Sequence, residues 1–194
     1  MKLHNSKFSK ILIGLSSILL VLAIPSCDEY FQPKPRGYFR IAMPDKEYHQ
    51  IQNDLPYRFE IPSYSLLEKD SHPQAEEYWT NLAFPTFHAK LHLSYKPIHG
   101  NLAALIDDAH KLLNKHIPKA NSINEKLFLH PEKKVYGVTY TIKGVDAASP
   151  FQFYITDSTT HFLRGALYFN VRPNNDSLAP VIDFIEIDIQ NLIE

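Results

Sequence analysis

Phe87-His88-Ala89-Lys90-Leu91-His92-Leu93-Ser94-Tyr95 is the stretch whose reading decides the fold class. Phe87, Ala89, Leu91, Leu93 and Tyr95 are apolar, and His88, Lys90, His92 and Ser94 between them are polar. A period of two puts the two sets on opposite faces of a strand, one on the core and one toward water or a partner. Three similar runs follow. Tyr136, Val138, Tyr140 and Ile142 form the apolar side of the first, and Phe151, Phe153 and Ile155 that of the second. The third covers residues 161–171, with Leu163, Leu167, Phe169 and Val171 on one side. Connections at 144–150 and 157–160 are short enough for antiparallel neighbours, so this meander reads as the centre of a sheet.

Upstream, residues 57–61 alternate and stop at Pro62, and residues 78–84 form a further strand, with Pro85 marking an edge or bulge. Residues 38–41 read as a short first strand, stopped by Pro44, and residues 63–74 as polar loop. Two helices complete the pattern. Leu102, Leu105, Ile106, Ala109, Leu112, Leu113 and His116 follow helical spacing, with Asn101 as the cap and Pro118 as the stop. Asp107 lies four residues before Lys111, a favourable surface pair. Leu178, Val181, Ile182, Ile185, Ile189 and Leu192 mark a last helix over 178–193, opened by Asp176-Ser177, with Pro180 in its first turn. Residues 185–189 also alternate, so a strand is the rival there; length and the cap favour helix. The expected architecture is α+β: a largely antiparallel sheet of six or seven strands with two main helices packed on it, in one domain over 38–194.

The amino terminus carries a different signal. Lys2, Lys7 and Lys10 precede an apolar run over residues 11–24, closed by Pro25-Ser26-Cys27. That run of about 14 residues is short of the roughly 20 needed to span a bilayer, and the order of basic, apolar and small residues is that of an export signal. Ile24-Pro25-Ser26-Cys27 resembles the bacterial lipobox, in which the cysteine is acylated and becomes the new amino terminus. Residues 1–26 are then a signal peptide, Cys27 the lipid attachment site, and residues 27–37 a tether kept extended by Pro33 and Pro35. Cys27 is the chain's one cysteine, so no internal disulfide is available. After it stand all 21 acidic residues against 17 of the 20 basic ones, a net charge of about −4 that argues against nucleic acid as a partner.

Catalytic and metal patterns are weak. His88 and His92 would sit about 13 Å apart along a strand, too far to share one zinc. His110 and His116 diverge on a helix, and no nucleophile elbow or phosphate-binding glycine loop is present. Asp107 and Asp108 point about 100° apart, as a solvated helix face does. Glu76-Glu77 beside Tyr78-Trp79 is a candidate binding rim. No catalytic residue, metal ligand or cofactor is assigned.

Four longer stretches carry a resemblance. Lys34-Pro35-Arg36-Gly37-Tyr38-Phe39-Arg40-Ile41, Leu91-His92-Leu93-Ser94-Tyr95-Lys96-Pro97-Ile98, Arg164-Gly165-Ala166-Leu167-Tyr168-Phe169-Asn170 and Asp176-Ser177-Leu178-Ala179-Pro180 resemble the gliding motility lipoprotein GldD family of Bacteroidota. The likeness implies a membrane lipoprotein of the cell envelope, needed for gliding and for the associated type IX secretion system, with proteins of those systems as partners and Cys27 as the lipid anchor. It implies no catalytic residues. The order of strands and helices is also similar to sandwiches of the PsbP/Mog1 type, an analogy of fold alone. Asp157-Ser158-Thr159 and Asp176-Ser177-Leu178 resemble the O-glycosylation sequon of Bacteroidota envelopes, which makes Ser158 and Ser177 candidate sites beside their plain reading as turn and cap.

Two functions follow from these readings. The first is a non-enzymatic, lipid-anchored docking component, periplasm-facing, with Thr139, Thr141, Gln152 and Tyr154 on the meander's outer face as candidate docking surface. Asp28-Glu29 after the cysteine suits either inner-membrane retention or outer-surface export. The rival is a periplasmic small-ligand or lipid-binding protein, or a hydrolase, using a cleft between sheet and helices. A pocket rich in aromatic side chains favours the rival, and a continuous apolar surface favours docking.

Overall fold

A computed structural model of the chain describes residues 41–51 and 54–194. The expected leader over 1–26, Cys27 and the tether, with residues 38–40 of the expected first strand, lie outside the described residues. In chain order the strands are β1 (Tyr48–Gln50), β2 (Glu60–Pro62), β3 (Leu66–Lys69), β4 (Thr80–Phe84) and β5 (Ala89–Pro97). Helix α1 (Leu102–Asn114) follows, then β6 (Ser122–His130), β7 (Val135–Lys143), β8 (Phe151–Thr156) and β9 (His161–Phe169), and finally α2 (Asn175–Ile193).

β1 and β2 pair as a small ribbon, and the other strands form a seven-stranded sheet in the order β3-β4-β5-β9-β8-β7-β6. Every neighbouring pair is antiparallel. The α+β expectation therefore holds. The centre is narrower than expected: β9 alone is central, with β8 and β7 to one side and β5 to the other.

Register decides which residues share a face. Tyr140 lies opposite Gln152, and Thr139 opposite Phe153, so the apolar sides of β7 and β8 point to opposite layers. Val138, Tyr140 and Ile142 pack with Leu105, Ala109 and Leu113 of α1. Leu91, Leu93, Phe151, Phe153 and Leu167 pack with Val181, Ile185 and Ile189 of α2. The sheet is thus sandwiched, α1 on one face and α2 on the other. This overturns the expected docking surface. Thr139 and Thr141 face the α2 layer, where the Thr141 hydroxyl meets the Glu186 carboxylate; Gln152 and Tyr154 face the α1 layer, and both are buried. Each side of the meander carries a helix.

Other local differences have plain causes. Within the stretch expected as loop, β3 pairs with β4 through the short run Leu66–Lys69. β6 escaped the sequence pattern because it is an edge strand, largely exposed, with charged Glu125 and Lys126 at its middle. Pro85 opens a single 3-10 turn, and His88 closes it in the left-handed region, so His88 does not continue the strand face of His92. Asn101 precedes α1 but spends its side chain on the His99 amide rather than on the helix. α2 is a helix through residues 185–189, which settles against the strand. It begins three residues earlier than expected, capped by the Asn174 side chain on the Ser177 amide, so Pro180 is inside it rather than in the first turn. Gly165 has a steric role: a methyl there would lie about 2.1 Å from the ring of its cross-strand partner Phe153.

One buried charge ties the segment before the sheet to α2. The Asp188 side chain has 0 % exposure. Its Oδ1 accepts from Lys46 Nζ at 2.6 Å and from the Tyr48 hydroxyl at 2.7 Å, and its Oδ2 accepts from the Tyr64 hydroxyl. Lys46 also donates to the Phe184 carbonyl at 2.8 Å and lies 3.6 Å from the centre of the Phe184 ring. A desolvated carboxylate survives only with such partners. Burial, then the hydrogen bond to Asp188, push the phenols of Tyr48 and Tyr64 well above the ordinary tyrosine value. Their contribution to stability is full below pH 10, where an unfolded tyrosine starts to ionise, and falls as pH rises toward the raised folded values. Asp188→Ala is expected to cost about 3–5 kcal/mol in urea unfolding, because it strands a partly buried ammonium. Lys46→Met should cost less, since two phenols remain on the carboxylate. Equal costs, or none, would show that the network does not hold α2.

Candidate functional site

A cleft of about 600 Å³ lies at one end of the α2 face, lined by the run before β2, the hairpin joining β8 and β9, the turn before β7 and the carboxyl end of α2. Its volume is within the range of small-ligand pockets. The sequence builds its aromatic wall through alternation. Tyr95 is on the core face of β5, cross-strand from Leu163, and His161 precedes Leu163 by two residues on the same face. Tyr57 stacks on Phe59 with ring centres 5.6 Å apart, and Tyr95 lies 5.6 Å from Tyr57. The Tyr95 hydroxyl and His161 Nδ1 are 2.8 Å apart, a bond that orients both rings. Tyr57 donates to the Tyr78 carbonyl at 3.0 Å. Burial raises the phenol values of Tyr57 and Tyr95, so both stay neutral donors at ordinary pH.

The rim is charged in both senses, by Arg58, Lys133 and Lys134 against Glu60, Asp157 and Glu194. Lys133 donates to the Glu194 backbone carbonyl, which closes one end of the cleft. Inside, the Asn191 amide nitrogen is buried without a protein partner among the described residues, a donor free for a ligand or a water. This arrangement can hold an aromatic or apolar group with polar contacts at its edge. Among the described residues no group of three or more His, Cys, Asp or Glu side chains is placed to hold a metal ion.

Residues singled out in the sequence fall elsewhere. Ser158 and Ser177 are both exposed, the first in the β8–β9 hairpin with positive φ and the second in the first turn of α2. The expected rim at Glu76–Trp79 is spent internally: Glu76 pairs with Lys96, Trp79 Nε1 donates to the Tyr95 carbonyl at 2.9 Å, and Tyr78 packs edge-on against Tyr95. His110 bonds the Tyr140 hydroxyl at 2.8 Å, and His92 and His116 both contact the Tyr168 ring. Asp107 and Asp108 both pair with Lys111 on the exposed side of α1. The lining of the cleft could not be assembled from the sequence, because its walls come from segments up to about 140 residues apart, and strands readable one by one do not show which of them meet.

Asp157 keeps the mouth of the cleft in shape. Its Oδ1 accepts from the backbone amides of Thr159, Thr160 and His161 at 2.8–3.0 Å. Burial alone would raise its value; the three amides and the Thr159 hydroxyl outweigh it and hold the carboxyl at about 2. A carboxyl with a lowered folded value stabilises the hairpin above its unfolded value of 3.8, and that contribution is lost as pH falls through about 2. The amide resonances of residues 159–161 should therefore titrate together with a midpoint at about 2. A common midpoint at the unfolded value would mean that the carboxylate does not hold this turn.

No helix among the described residues is long and apolar enough to cross a membrane. Comparison with curated proteins gives no match. A family model described as gliding motility lipoprotein GldD matches residues 28–194, nearly the whole chain and all of the domain just described. The chain belongs to the gliding motility lipoprotein GldD family.

Proposed function

We propose that this protein is a non-catalytic, lipid-anchored component of the Bacteroidota envelope that docks to proteins of the gliding and type IX secretion machinery. The family match over residues 28–194 is the observation that carries the reading. Acylation of Cys27 tethers the domain, which faces the periplasm. Each buried methylene of an acyl chain contributes about 0.8 kcal/mol, so an anchor of more than one chain retains a globular domain durably.

The open edge of the sheet supports docking over catalysis. β6 is nine residues long and ends the sheet, and no described strand pairs with its outer side. Phe128 packs inward on the α2 side, while Leu127 and Leu129 on the other side are 63 % and 60 % exposed. Unpaired backbone donors and acceptors beside exposed leucines suit an extended segment of a partner protein, added as an eighth strand. A second reading has its own observation. The aromatic cleft suits a small apolar ligand, held between Tyr57, Tyr95 and the end of α2.

A photo-reactive residue in place of exposed Glu125, on the same face of β6 as the leucines, should crosslink the full chain in its own host to a motility or type IX secretion protein. Leu127→Lys with Leu129→Lys should cut that yield about tenfold, equivalent to roughly 1.4 kcal/mol. Their exposure should keep the stability change within about 0.5 kcal/mol per site. Cys27→Ala should release the protein from the membrane fraction. If no protein crosslinks while a small molecule or lipid co-purifies with wild type and Cys27→Ala alike, the docking reading fails and the cleft becomes the working site.

A further inference from the structure

The α1 face of the sheet contains a second built site, on the opposite side from the cleft. β9 turns Phe162, Arg164, Ala166 and Tyr168 toward this face. Cross-strand pairing sets His92 on one side of Ala166 and Gln152 on the other. Ala166 is the small side chain between these four larger ones, and His116, just beyond α1, stands beside them. Its ring centre is 6.4 Å from that of Tyr168, and His92 meets the same ring edge-on at 5.6 Å. Ala166 at 1 % and Gln152 at 2 % exposure are buried, while Arg164, Tyr168, His92 and His116 around them are half-buried.

The donors at this site outnumber the acceptors. Arg164 Nη2 donates to Gln152 Oε1 at 2.7 Å. That bond fixes which way the amide points, since the flipped orientation would set donor against donor. Gln152 Nε2 is then a buried donor with no partner among the described residues. Among those residues the guanidinium has Gln152 and Tyr168 as partners and no carboxylate. Of the acids on the neighbouring segments, Glu68 pairs with Lys90 at 2.9 Å and Glu76 with Lys96, while Asp70 acts on His92. Burial is the main cause that lowers the values of His92 and His116; Asp70 opposes it at His92, Lys90 and Arg164 add to it, and, within the described residues, no carboxylate is among the groups that act on Arg164. Guanidinium groups in proteins are always protonated, and half-burying one without a counter-ion is costly.

We propose that Arg164 and the free amide of Gln152, beside the small Ala166, form a binding site for one carboxylate group. One guanidinium without a carboxylate partner among the described residues balances one negative charge, and its edge matches the two oxygens of a carboxylate. A dianion such as phosphate would bring a second, uncompensated charge to a half-buried place. The carboxylate belongs either to a free small acid or to a glutamate side chain of a polypeptide.

The test uses the full chain in detergent at pH 7.5, titrated with acetate, N-acetyl-glutamate amide and inorganic phosphate, with the Gln152 side-chain amide and the Arg164 Nε–H followed by NMR. Acetate or the blocked glutamate should shift both signals saturably, with Kd on the order of 1–10 mM for so small a probe, and phosphate should bind more weakly. Tighter binding of the blocked glutamate points to a polypeptide source, and equal or weaker binding to a free acid. Gln152→Glu places a carboxylate beside Arg164 and should abolish binding while raising the thermal midpoint. Arg164→Met should weaken binding at least about tenfold. The proposal is overturned if no probe saturates, if phosphate binds best, or if Gln152→Glu lowers the midpoint.

Discussion

Asp188 is the constraint on which the arrangement of this domain depends. A carboxylate with no solvent exposure on the inner side of α2 has to be met by donors, and among the described residues the three that reach it come from the segment before the main sheet: Lys46, Tyr48 and Tyr64. Helix and segment are therefore held in one register, with Phe184 between them taking a cation contact from Lys46 and ring contacts from Tyr64 and Phe87. Purely apolar packing would let the segment slide along the helix, because dispersion is not directional. Three directional bonds to one group remove that freedom. The aromatic wall of the cleft follows from this, since Tyr57 and Phe59 lie in the same segment, between Tyr48 and Tyr64.

The second constraint is the two-sided sheet. Where both faces are buried, alternation no longer separates core from solvent; it separates one core from the other. β8 shows the result, with Phe151 and Phe153 under α2 and Tyr154 under α1, and five of its six residues buried. Polar side chains on such strands cannot be read as facing water. Gln152 lies beside Arg164 for that reason, and Thr139 sits in the α2 layer rather than on a docking surface.

Strand and helix type were legible wherever one residue pattern ran for nine or more positions, as in β5, β7, β9 and both helices. Faces were not legible, because they depend on register between strands. A pairing of Tyr140 with Gln152 is invisible in a single sequence, and it decides which layer four residues enter. β6 was missed because edge strands bury little and keep charges such as Glu125 and Lys126 to discourage wrong pairing. The Asp188 network was hidden more deeply. An aspartate within Ile185-Glu186-Ile187-Asp188-Ile189 looks like the solvated side of an amphipathic helix, and only the arrival of a lysine and two tyrosines from more than 120 positions away makes it buried.

These constraints also distribute the candidate sites over the surface. The cleft is tied to the α2 face, the Arg164 site to the α1 face, and the open edge of β6 to neither. Leu127 and Leu129 lie one strand outside Val138, beyond the α1 cluster, so an added strand would meet the leucines without displacing a helix. The backbone groups it would pair with are already held straight by β7 along all nine positions of β6. Such an edge would bind with little ordering cost on this side of the interface, and the conformational entropy lost would fall on the partner's segment. A tethered domain adds a further advantage, because confinement to one membrane raises the effective concentration of a partner confined there too. Modest edge-to-edge affinity is then enough for occupancy, and the same interaction would be weak in dilute solution.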